Sequence, residues 1–372
     1  MNAQPLDGIV VLDFSTLLPG PLATLMLAEA GAEVIKIEKP GGEDMRRYPP
    51  RWGTTSAPFA LLNRGKKSVE IDLKAADAVE RLRPLIERAD VLVEQFRPGV
   101  MARLGLGYEA VSALNPGIVY CSITGYGQSG PRAFEAGHDL NYIGATGLLA
   151  LAHGSVDAPV VPPALIADIG GGTFPAVSNI LMALVGRHKT GKGTHLDIAM
   201  ADGAFTFALY AKAEGLATGR FPGPGGSLLT GGSPRYQLYA TADGKLAAVA
   251  ALEDKFWRSI CQVLDLPAEL ADDRRDPAAT LAAVAARIRA RTAEEWAPLF
   301  KEADCCVTIV ASLEEAMRDP HFTERGLFDH RVEGDFRATL PAAVVPIAPQ
   351  FRREETTVAA PALGADTTDL LG

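Results

Sequence analysis

Residues 8–37, GIVVLDFSTLLPGPLATLMLAEAGAEVIKI, carry the clearest signal of the fold. A β-branched run at 8–14 predicts a strand, the Pro- and Gly-containing segment 19–21 interrupts it, and residues 22–30 favour a helix. Gly31 ends that helix, and a second strand is predicted at 32–37. Two strands joined by one helix indicate a βαβ unit and therefore a parallel sheet.

The same alternation continues along the chain. Further strands are predicted at 68–73, 90–94, 118–123 and 194–200, and helices at 75–89, 173–187 and 201–216. The strand runs are short and apolar, as in strands covered on both faces. Residues 236–251 predict a hairpin with its turn at 242–244, and residues 254–303 are predicted to be helical. The pattern predicts an α/β protein.

Composition and charge exclude several classes of protein. The 372 residues suggest two domains, and a hydrophobic content of 48% excludes a disordered chain. The net charge of −9 argues against nucleic-acid binding. The N-terminus has no signal-peptide pattern and no apolar run reaches about 18 residues. We therefore expect a cytoplasmic protein without a membrane partner.

Familiar cofactor and metal motifs are missing from the sequence. No G-x-G-x-x-G follows the first strand, where Leu17 to Pro21 stand instead, so a nicotinamide or flavin site is unsupported. The six histidines lack metal-ligand spacing, and the four cysteines form no C-x-x-C. We expect reduced thiols, no metal and no permanently bound cofactor.

Two segments combine a titratable side chain with glycines. His138, in Gly137-His138-Asp139, could act as a base near neutral pH, or it could be a surface histidine. Asp168 precedes three glycines and a predicted helix, so it could be a nucleophile, a base or simply the N-cap. Both alternatives stay open at this point.

Four cations follow predicted strands and could hold phosphates. Lys36 and Lys39 come at the end of the second strand, and Arg97 and Arg103 follow the strand at 90–94. Ligands of α/β sheets bind at the carboxyl ends of the strands. Each side chain taken alone could equally be a solvated surface charge.

Taken in order, eight segments resemble the class III coenzyme A-transferase family of the CaiB/BaiF type, especially its α-methylacyl-CoA racemase branch. They include VLDFSTLLPGPLATLMLAEAGAEVIKIEKPGGEDMR (11–46), LNRGKKSVEIDLK (62–74), the segments 89–111 and 114–131, GHDLNYIGATGLL (137–149), ADIGGG (167–172), GKGTHLDIAMADG (191–203) and the tail from Pro361.

The resemblance implies a Rossmann-like large domain with a parallel sheet, a smaller α+β domain, and an interlocked homodimer. The large CoA-binding domain would comprise 1–217, a Gly/Pro-rich linker 218–234, the small domain 235–325, and a return segment to the large domain 326–372. The active site would lie between the large domain of one chain and the small domain of the other.

The resemblance also implies two competing reactions on an acyl-CoA substrate. In the racemases, Asp168 and His138 would be the two bases that exchange the α-proton, and Glu253 of the partner would assist the histidine. In the transferases, Asp168 would form an aspartyl-CoA thioester, shielded by glycines at 225–226 or 231–232. The Gly-His-Asp motif favours racemization of 2-methylacyl-CoA thioesters.

Five further residues match family positions that contact coenzyme A. They are Lys39, Leu73, Lys74, Arg97 and Arg103. Lys39 stands where the family often has arginine, which would keep the charge but lose the bidentate fork.

Overall fold

The computed structural model describes residues 4–152, 154–334 and 338–372. They form two compact units. The first runs to Thr146 and includes Ala164–Thr206 and Pro320–Gly372, and the second consists of Gly147–Pro163 and Phe207–Asp319. The domain boundaries expected from the resemblance stay a prediction.

A six-stranded sheet organises the first unit. Its strands are β1 (Val10–Asp13), β2 (Glu33–Glu38), β3 (Lys67–Glu70), β4 (Val91–Glu94), β5 (Val119–Thr124) and β6 (Thr194–Ala199). All neighbours are parallel, in the order β3-β2-β1-β4-β5-β6. The predicted parallel sheet is confirmed.

The central strands are buried on both faces, which explains their continuous apolar sequences. Val11 pairs with Val34 on one side and Val91 on the other, and the side chains of Val11, Leu12 and Leu92 are fully buried. Helices cover the sheet, as parallel strands require. They are α1 (Pro19–Glu29), α2 (Ala57–Asn63), α3 (Ala78–Arg88), α4 (Val100–Arg103), α5 (Tyr108–Leu114), α6 (Asp139–Ala145), α7 (Phe174–Thr190) and α8 (Met200–Ala204).

The strand order contains a topological switch point between β1 and β4. From β1 the chain proceeds to β2 and β3 on one side, and it then returns to β4 and continues outward to β5 and β6. The loops that follow β1 and β4 therefore diverge and leave a crevice at the carboxyl edge. Ligands of open α/β sheets bind at this place.

Two predicted helices, at 173–187 and 201–216, differ from the structure. A π-helix, Ile166–Thr173, precedes α7. The single helix predicted at 201–216 is wrong, because α8 ends at Ala204 and the 3₁₀ turn Phe205–Ala208 separates it from α9 (Leu209–Thr218). Phe and Thr lose side-chain freedom in a helix, so the segment Phe205-Thr206-Phe207 has a low helix propensity.

The helical stretch 166–190 is long and apolar enough, by length and composition, to cross a membrane. Core helices meet the same criterion. In this chain Thr173 donates a hydrogen bond to the Pro19 carbonyl at 2.8 Å, and Arg187 pairs with Asp90 at 2.7 Å. Both ends of the stretch are thus attached to the α/β unit, and the absence of a membrane partner stays a prediction.

The second unit is built on an antiparallel sheet of β7 (Tyr236–Ala240), β8 (Leu246–Ala250) and β9 (Val307–Ile309), in the order β9-β8-β7. The predicted hairpin is confirmed, with Gly244 at a φ of +79° in its turn. Trp257, Trp296 and Phe300 lie in its core. Its helices, besides α9, are α10 (Asp254–Val263), α11 (Ala268–Ala271), α12 (Pro277–Ile288), α13 (Ala293–Ala303) and α14 (Leu313–Met317).

The C-terminal residues complete the first unit. They form α15 (Pro320–Glu324), β10 (Arg331–Glu333), β11 (Thr339–Pro341), β12 (Thr357–Ala359) and α16 (Thr367–Leu371). Asp366 accepts the Ser68 N–H at 2.8 Å, and the Thr367 hydroxyl accepts that of Glu70 at 2.9 Å. The tail therefore satisfies donors of the edge strand β3.

Short elements complete the description. They are a ribbon of Arg51–Trp52 and Thr55–Ser56 and the 3₁₀ turns Asp44–Arg47, Leu149–Leu151, Leu228–Thr230 and Pro349–Phe351. All four cysteines are free thiols, and Cys306 alone is exposed.

Candidate active site

A cavity of about 490 Å³ opens at the switch point of the sheet. Its walls come from the loops after β1, β4 and β5, from the start of α6, and from the π-helix. The lining residues are Thr16, Leu17, Pro19, Gln95, Phe96, Arg97, Pro98, Ile123, Thr124, Gly125, Ala133, Glu135, Ala136, Gly137, His138, Asn141, Tyr142, Asp168 and Met200. His138 and Asp168, thirty positions apart in sequence, thus line one cavity.

Three glycines allow the π-helix to approach α8 closely. A β-carbon on Gly171 would lie 2.3 Å from the Met200 carbonyl oxygen, and one on Gly172 would lie 2.9 Å from the Met200 side chain. Gly203 faces Gly171 and must also be glycine, because a β-carbon there would collide with the Gly171 backbone. The glycines that follow Asp168 are therefore needed for backbone packing, and this packing sets the position of the aspartate.

Asp168 is not a helix cap. It lies inside the π-helix, five residues before Thr173, which stands at the N-cap position of α7. π-Turns are rare and occur frequently at functional sites. The structure thus excludes the alternative that Asp168 is simply the N-cap of the helix. Its carboxyl group is half-buried and lines the cavity.

His138 is the N-cap residue of α6, and its side chain is exposed. Its backbone N–H donates to the Oδ1 atom of Asn141 at 3.0 Å, which fixes the start of the helix. The imidazole is therefore held on an ordered helix end and stays accessible from the cavity.

Asp139 connects the histidine and the aspartate. Its side chain is 6% exposed, and its Oδ1 atom accepts the backbone N–H groups of Ala167 at 2.7 Å and of Asp168 at 2.9 Å. Sequence reasoning missed this role, since the contact spans 29 positions. Its only signal was a carboxylate within the Gly-His-Asp motif.

The environment makes Asp168 a better proton acceptor than an ordinary aspartate. Burial raises the pKa of its carboxyl group from 3.8 to about 6; the neighbouring Asp139 carboxylate adds to the rise, and His138 opposes it. Strongly shifted carboxyl groups at a cavity are typical of acid–base sites.

Tyr142 packs tightly against two glycines of the cavity. A β-carbon on Gly125 would lie 2.4 Å from the tyrosine ring, and one on Gly137 would lie 2.7 Å from it. The hydroxyl donates to the Gly137 carbonyl. Burial, with a contribution from Asp168, raises the pKa of Tyr142 to about 12, so the phenol stays protonated at neutral pH.

The predicted coenzyme A contacts all follow strands at the carboxyl edge of the sheet, but only Arg97 lines the cavity. Lys39 is exposed and pairs with Asp44 at 2.9 Å. Leu73 packs against the sheet core, while Lys74 and Arg103 are exposed. Lys36 is fully buried beside Glu43, so the prediction that it could hold a phosphate is wrong.

Glu253 belongs to the second unit, where it precedes α10. Arg235 contacts both neighbours of Glu253, because its Nη1 atom donates to the Leu252 carbonyl at 3.0 Å and to the Asp254 carboxylate at 2.7 Å. Asp273 anchors the guanidinium by two further hydrogen bonds of 2.8 and 2.7 Å. Within the described residues, no group of His, Cys, Asp or Glu is placed to hold a metal ion.

The comparisons with known proteins identify the family. Residues 6–367 match CoA-transferase family III. The chain is 36% identical to human alpha-methylacyl-CoA racemase over 98% of its length and 92% of that protein. It is 31% identical to human succinyl-CoA:glutarate CoA-transferase, covering 100% of this chain and 86% of that protein.

A crystal structure from Mycobacterium tuberculosis matches all of this chain and 99% of its own, at 28% identity with a TM-score of 0.85. The resemblance found in the sequence is confirmed, and the chain is an enzyme of the racemase or CoA-transferase type. Since the family match spans almost the entire sequence, the chain belongs to CoA-transferase family III.

Proposed function

We propose that this enzyme racemizes 2-methylacyl-CoA thioesters by exchanging the proton on the α-carbon. The observation that carries the proposal is the shared cavity of His138 and Asp168, with the carboxyl pKa raised to about 6. The 36% identity to a human alpha-methylacyl-CoA racemase supports the same reaction.

In one direction the Asp168 carboxylate removes the α-proton, and the electron pair of the broken C–H bond moves into the thioester carbonyl as an enolate. The imidazolium of His138 then protonates the opposite face of the α-carbon. The reverse direction exchanges the two roles. No electron is lost or gained, so the reaction needs no redox cofactor.

The raised pKa suits this task. A carboxylate of pKa about 6 is largely ionised at pH 7.5 and is more basic than an ordinary aspartate. Arg97 is the cation among the described lining residues, and we propose that it attracts the anionic CoA thioester. Lys39, Leu73, Lys74 and Arg103 would extend this binding along the strand ends.

The active site is proposed to be completed by a second chain. In this arrangement an interlocked homodimer brings Glu253 of one subunit to His138 of the other, where the carboxylate assists the imidazole. The contacts of Arg235 support this role, since they bind the residues on both sides of Glu253.

CoA transfer is the competing function. The 31% identity to human succinyl-CoA:glutarate CoA-transferase supports it, and so does an accessible carboxyl group at Asp168. The carboxylate would attack the thioester and release CoA thiolate from the tetrahedral intermediate. The thiolate would attack the aspartyl carbonyl of the resulting mixed anhydride, which gives an aspartyl-CoA thioester and releases the donor carboxylate. An acceptor carboxylate would attack this thioester and release the thiolate, which would then attack the acceptor's acyl carbon in the new anhydride to form the product acyl-CoA and free Asp168.

Incubation of one enantiomer of a 2-methylacyl-CoA in D₂O separates the two reactions. We expect NMR to show loss of the α-proton together with appearance of the opposite enantiomer. A parallel incubation with free carboxylic acids is analysed by mass spectrometry. If CoA moves to an added acid while the α-proton survives, and hydroxylamine traps Asp168, the enzyme is a transferase.

A further inference from the structure

Leu17 has a strained backbone in the wall of the cavity. Its φ is +62°, in the left-handed region that ordinary side chains avoid. Such a conformation is strained for any residue other than glycine and persists where the surroundings hold it. The residue lines the cavity together with Thr16 and Pro19, so the strain lies at the candidate site.

A buried carboxylate binds the backbone of this residue. Glu43, which is 2% exposed, accepts the Leu17 N–H on its Oε2 atom at 3.0 Å. The Nζ atom of Lys36 lies 3.1 Å from its Oε1 atom and donates to the Ser15 carbonyl at 2.9 Å. One ion pair thus holds the loop at two points, two residues apart.

A second buried ion pair fixes the flanks of the same loop. Asp13 and Lys66 lie 3.0 Å apart and are both buried. Asp13 accepts the Ser15 N–H at 2.9 Å, and Lys66 donates to the Pro21 carbonyl at 3.0 Å. Buried charges therefore bind this segment at Ser15, Leu17 and Pro21.

Stability alone does not account for this arrangement. Replacing a buried ion pair by apolar side chains of similar volume is often neutral or stabilising, because desolvation offsets the attraction between the charges. These four buried charges come from different segments and bind one loop, so the position of that backbone explains them better.

We infer that Glu43 is a positioning residue, which holds Leu17 in the left-handed conformation and thereby shapes the cavity wall for a CoA thioester. The inference rests on the proposed occupancy of the cavity by acyl-CoA. It does not depend on whether the enzyme racemizes the thioester or transfers its CoA.

The first test compares two double variants that both remove the buried charges. Lys36→Met with Glu43→Gln keeps an acceptor for the Leu17 N–H, whereas Lys36→Met with Glu43→Leu leaves that N–H unpaired. We expect the Leu variant to bind acetyl-CoA roughly ten-fold more weakly than the Gln variant by calorimetry. Equal affinities in two folded variants would overturn the inference.

The second test leaves the ion pairs untouched and guards against misfolding of the double variants. Leu17→Met and Leu17→Ile change the shape of one side chain by similar amounts. Only isoleucine is β-branched, and β-branched residues tolerate a positive φ least. We expect L17I to bind acetyl-CoA several-fold more weakly than L17M, which is its matched comparison.

These readouts distinguish the inference from the proposed function. If the variants change acetyl-CoA binding as expected while the wild type exchanges no α-proton in D₂O, racemization fails and the inference stands. If L17I and L17M bind equally, the inference fails whatever reaction the enzyme catalyses. A wild-type protein that does not bind acetyl-CoA contradicts the inference.

Discussion

The Oδ1 atom of Asp139 lies 2.9 Å from the backbone nitrogen of Asp168 and accepts its N–H. The same oxygen accepts the Ala167 N–H at 2.7 Å. Because His138 immediately precedes Asp139, this one carboxylate connects the two backbone segments that carry the proposed bases. It also raises the pKa of Asp168 by its negative charge. Position and basicity are therefore coupled through one side chain.

Two substitutions of Asp139 separate these effects. Asp139→Asn keeps an oxygen for both N–H groups but removes the charge, so the Asp168 pKa falls and the acid limb of the kcat/KM profile moves to lower pH. Asp139→Ala removes the acceptor as well, and we expect kcat to fall about 10²-fold. A D139N profile that coincides with that of the wild type would show that the charge is unimportant.

His138→Ala tests the two-base mechanism. Without the imidazole, no group returns a proton to the opposite face of the enolate. We expect inversion to be lost while Asp168 still exchanges the α-proton with D₂O on its own face, measured by NMR and chiral analysis. Retained inversion would contradict the role of His138. The matched Asp168→Asn variant should lose exchange on the face of the α-carbon that Asp168 serves.

The stability of the enzyme should depend on the titration of Asp168. Its folded-state pKa of about 6 lies above the ordinary 3.8, so the folded chain binds the proton more tightly. The contribution of this group therefore falls as pH rises from about 4 to 6 and stays low above that window. Asp168→Asn should remove the decrease, on the order of 1 kcal/mol after solvent screening.

Urea unfolding of the wild type and D168N at pH 4, 5, 6 and 7 measures this difference. The other titrating groups are common to both proteins and cancel. A constant difference across the series would mean that the pKa of Asp168 is unshifted.

Gly125→Ala should disturb the cavity through Tyr142. The added β-carbon would lie 2.4 Å from the ring, which must then move. Overpacking of this kind costs about 1–3 kcal/mol. We expect a lower Tm and a lower kcat/KM. In Gly186→Ala the β-carbon meets open space within α7, so that control should be neutral or slightly stabilising.

Arg235→Met tests the ordering of Glu253. The variant loses the contacts to Leu252 and Asp254 and leaves the buried Asp273 without its partner, which should destabilise the second unit by about 3 kcal/mol. If Arg235 acts through Glu253, the loss in kcat of Arg235→Met and Glu253→Gln should not add in the double variant. Additive losses would assign Arg235 a purely structural role. Arg235→Lys should retain part of the stability of the second unit and part of kcat.

The local pattern of the sequence was sufficient to predict the parallel sheet. Short apolar runs separated by helical segments predicted all six of its strands, and in the central strands this signal reflects burial on both faces. The hairpin at 236–251 was equally readable, since its turn chemistry is local. The motif around His138 and the glycines after Asp168 marked both candidate residues.

Contacts between distant parts of the chain were beyond the reach of sequence patterns. No local signal indicated that Asp139 would bind the backbone of Asp168, or that Glu43 would hold Leu17 at a positive φ. Lys36 looked like a phosphate ligand because its charge was visible, whereas its burial was not. The helix types around Asp168 likewise depended on close packing against α8.

Local sequence patterns specify the strands, most of the helices and the positions of the titratable groups. The tertiary structure alone decided the strand order, and with it the crevice between β1 and β4 where those groups meet. The physical reason is that hydrophobic periodicity specifies which face of an element is buried. The neighbour against which that face packs depends on how the side chains of the complete chain fit together.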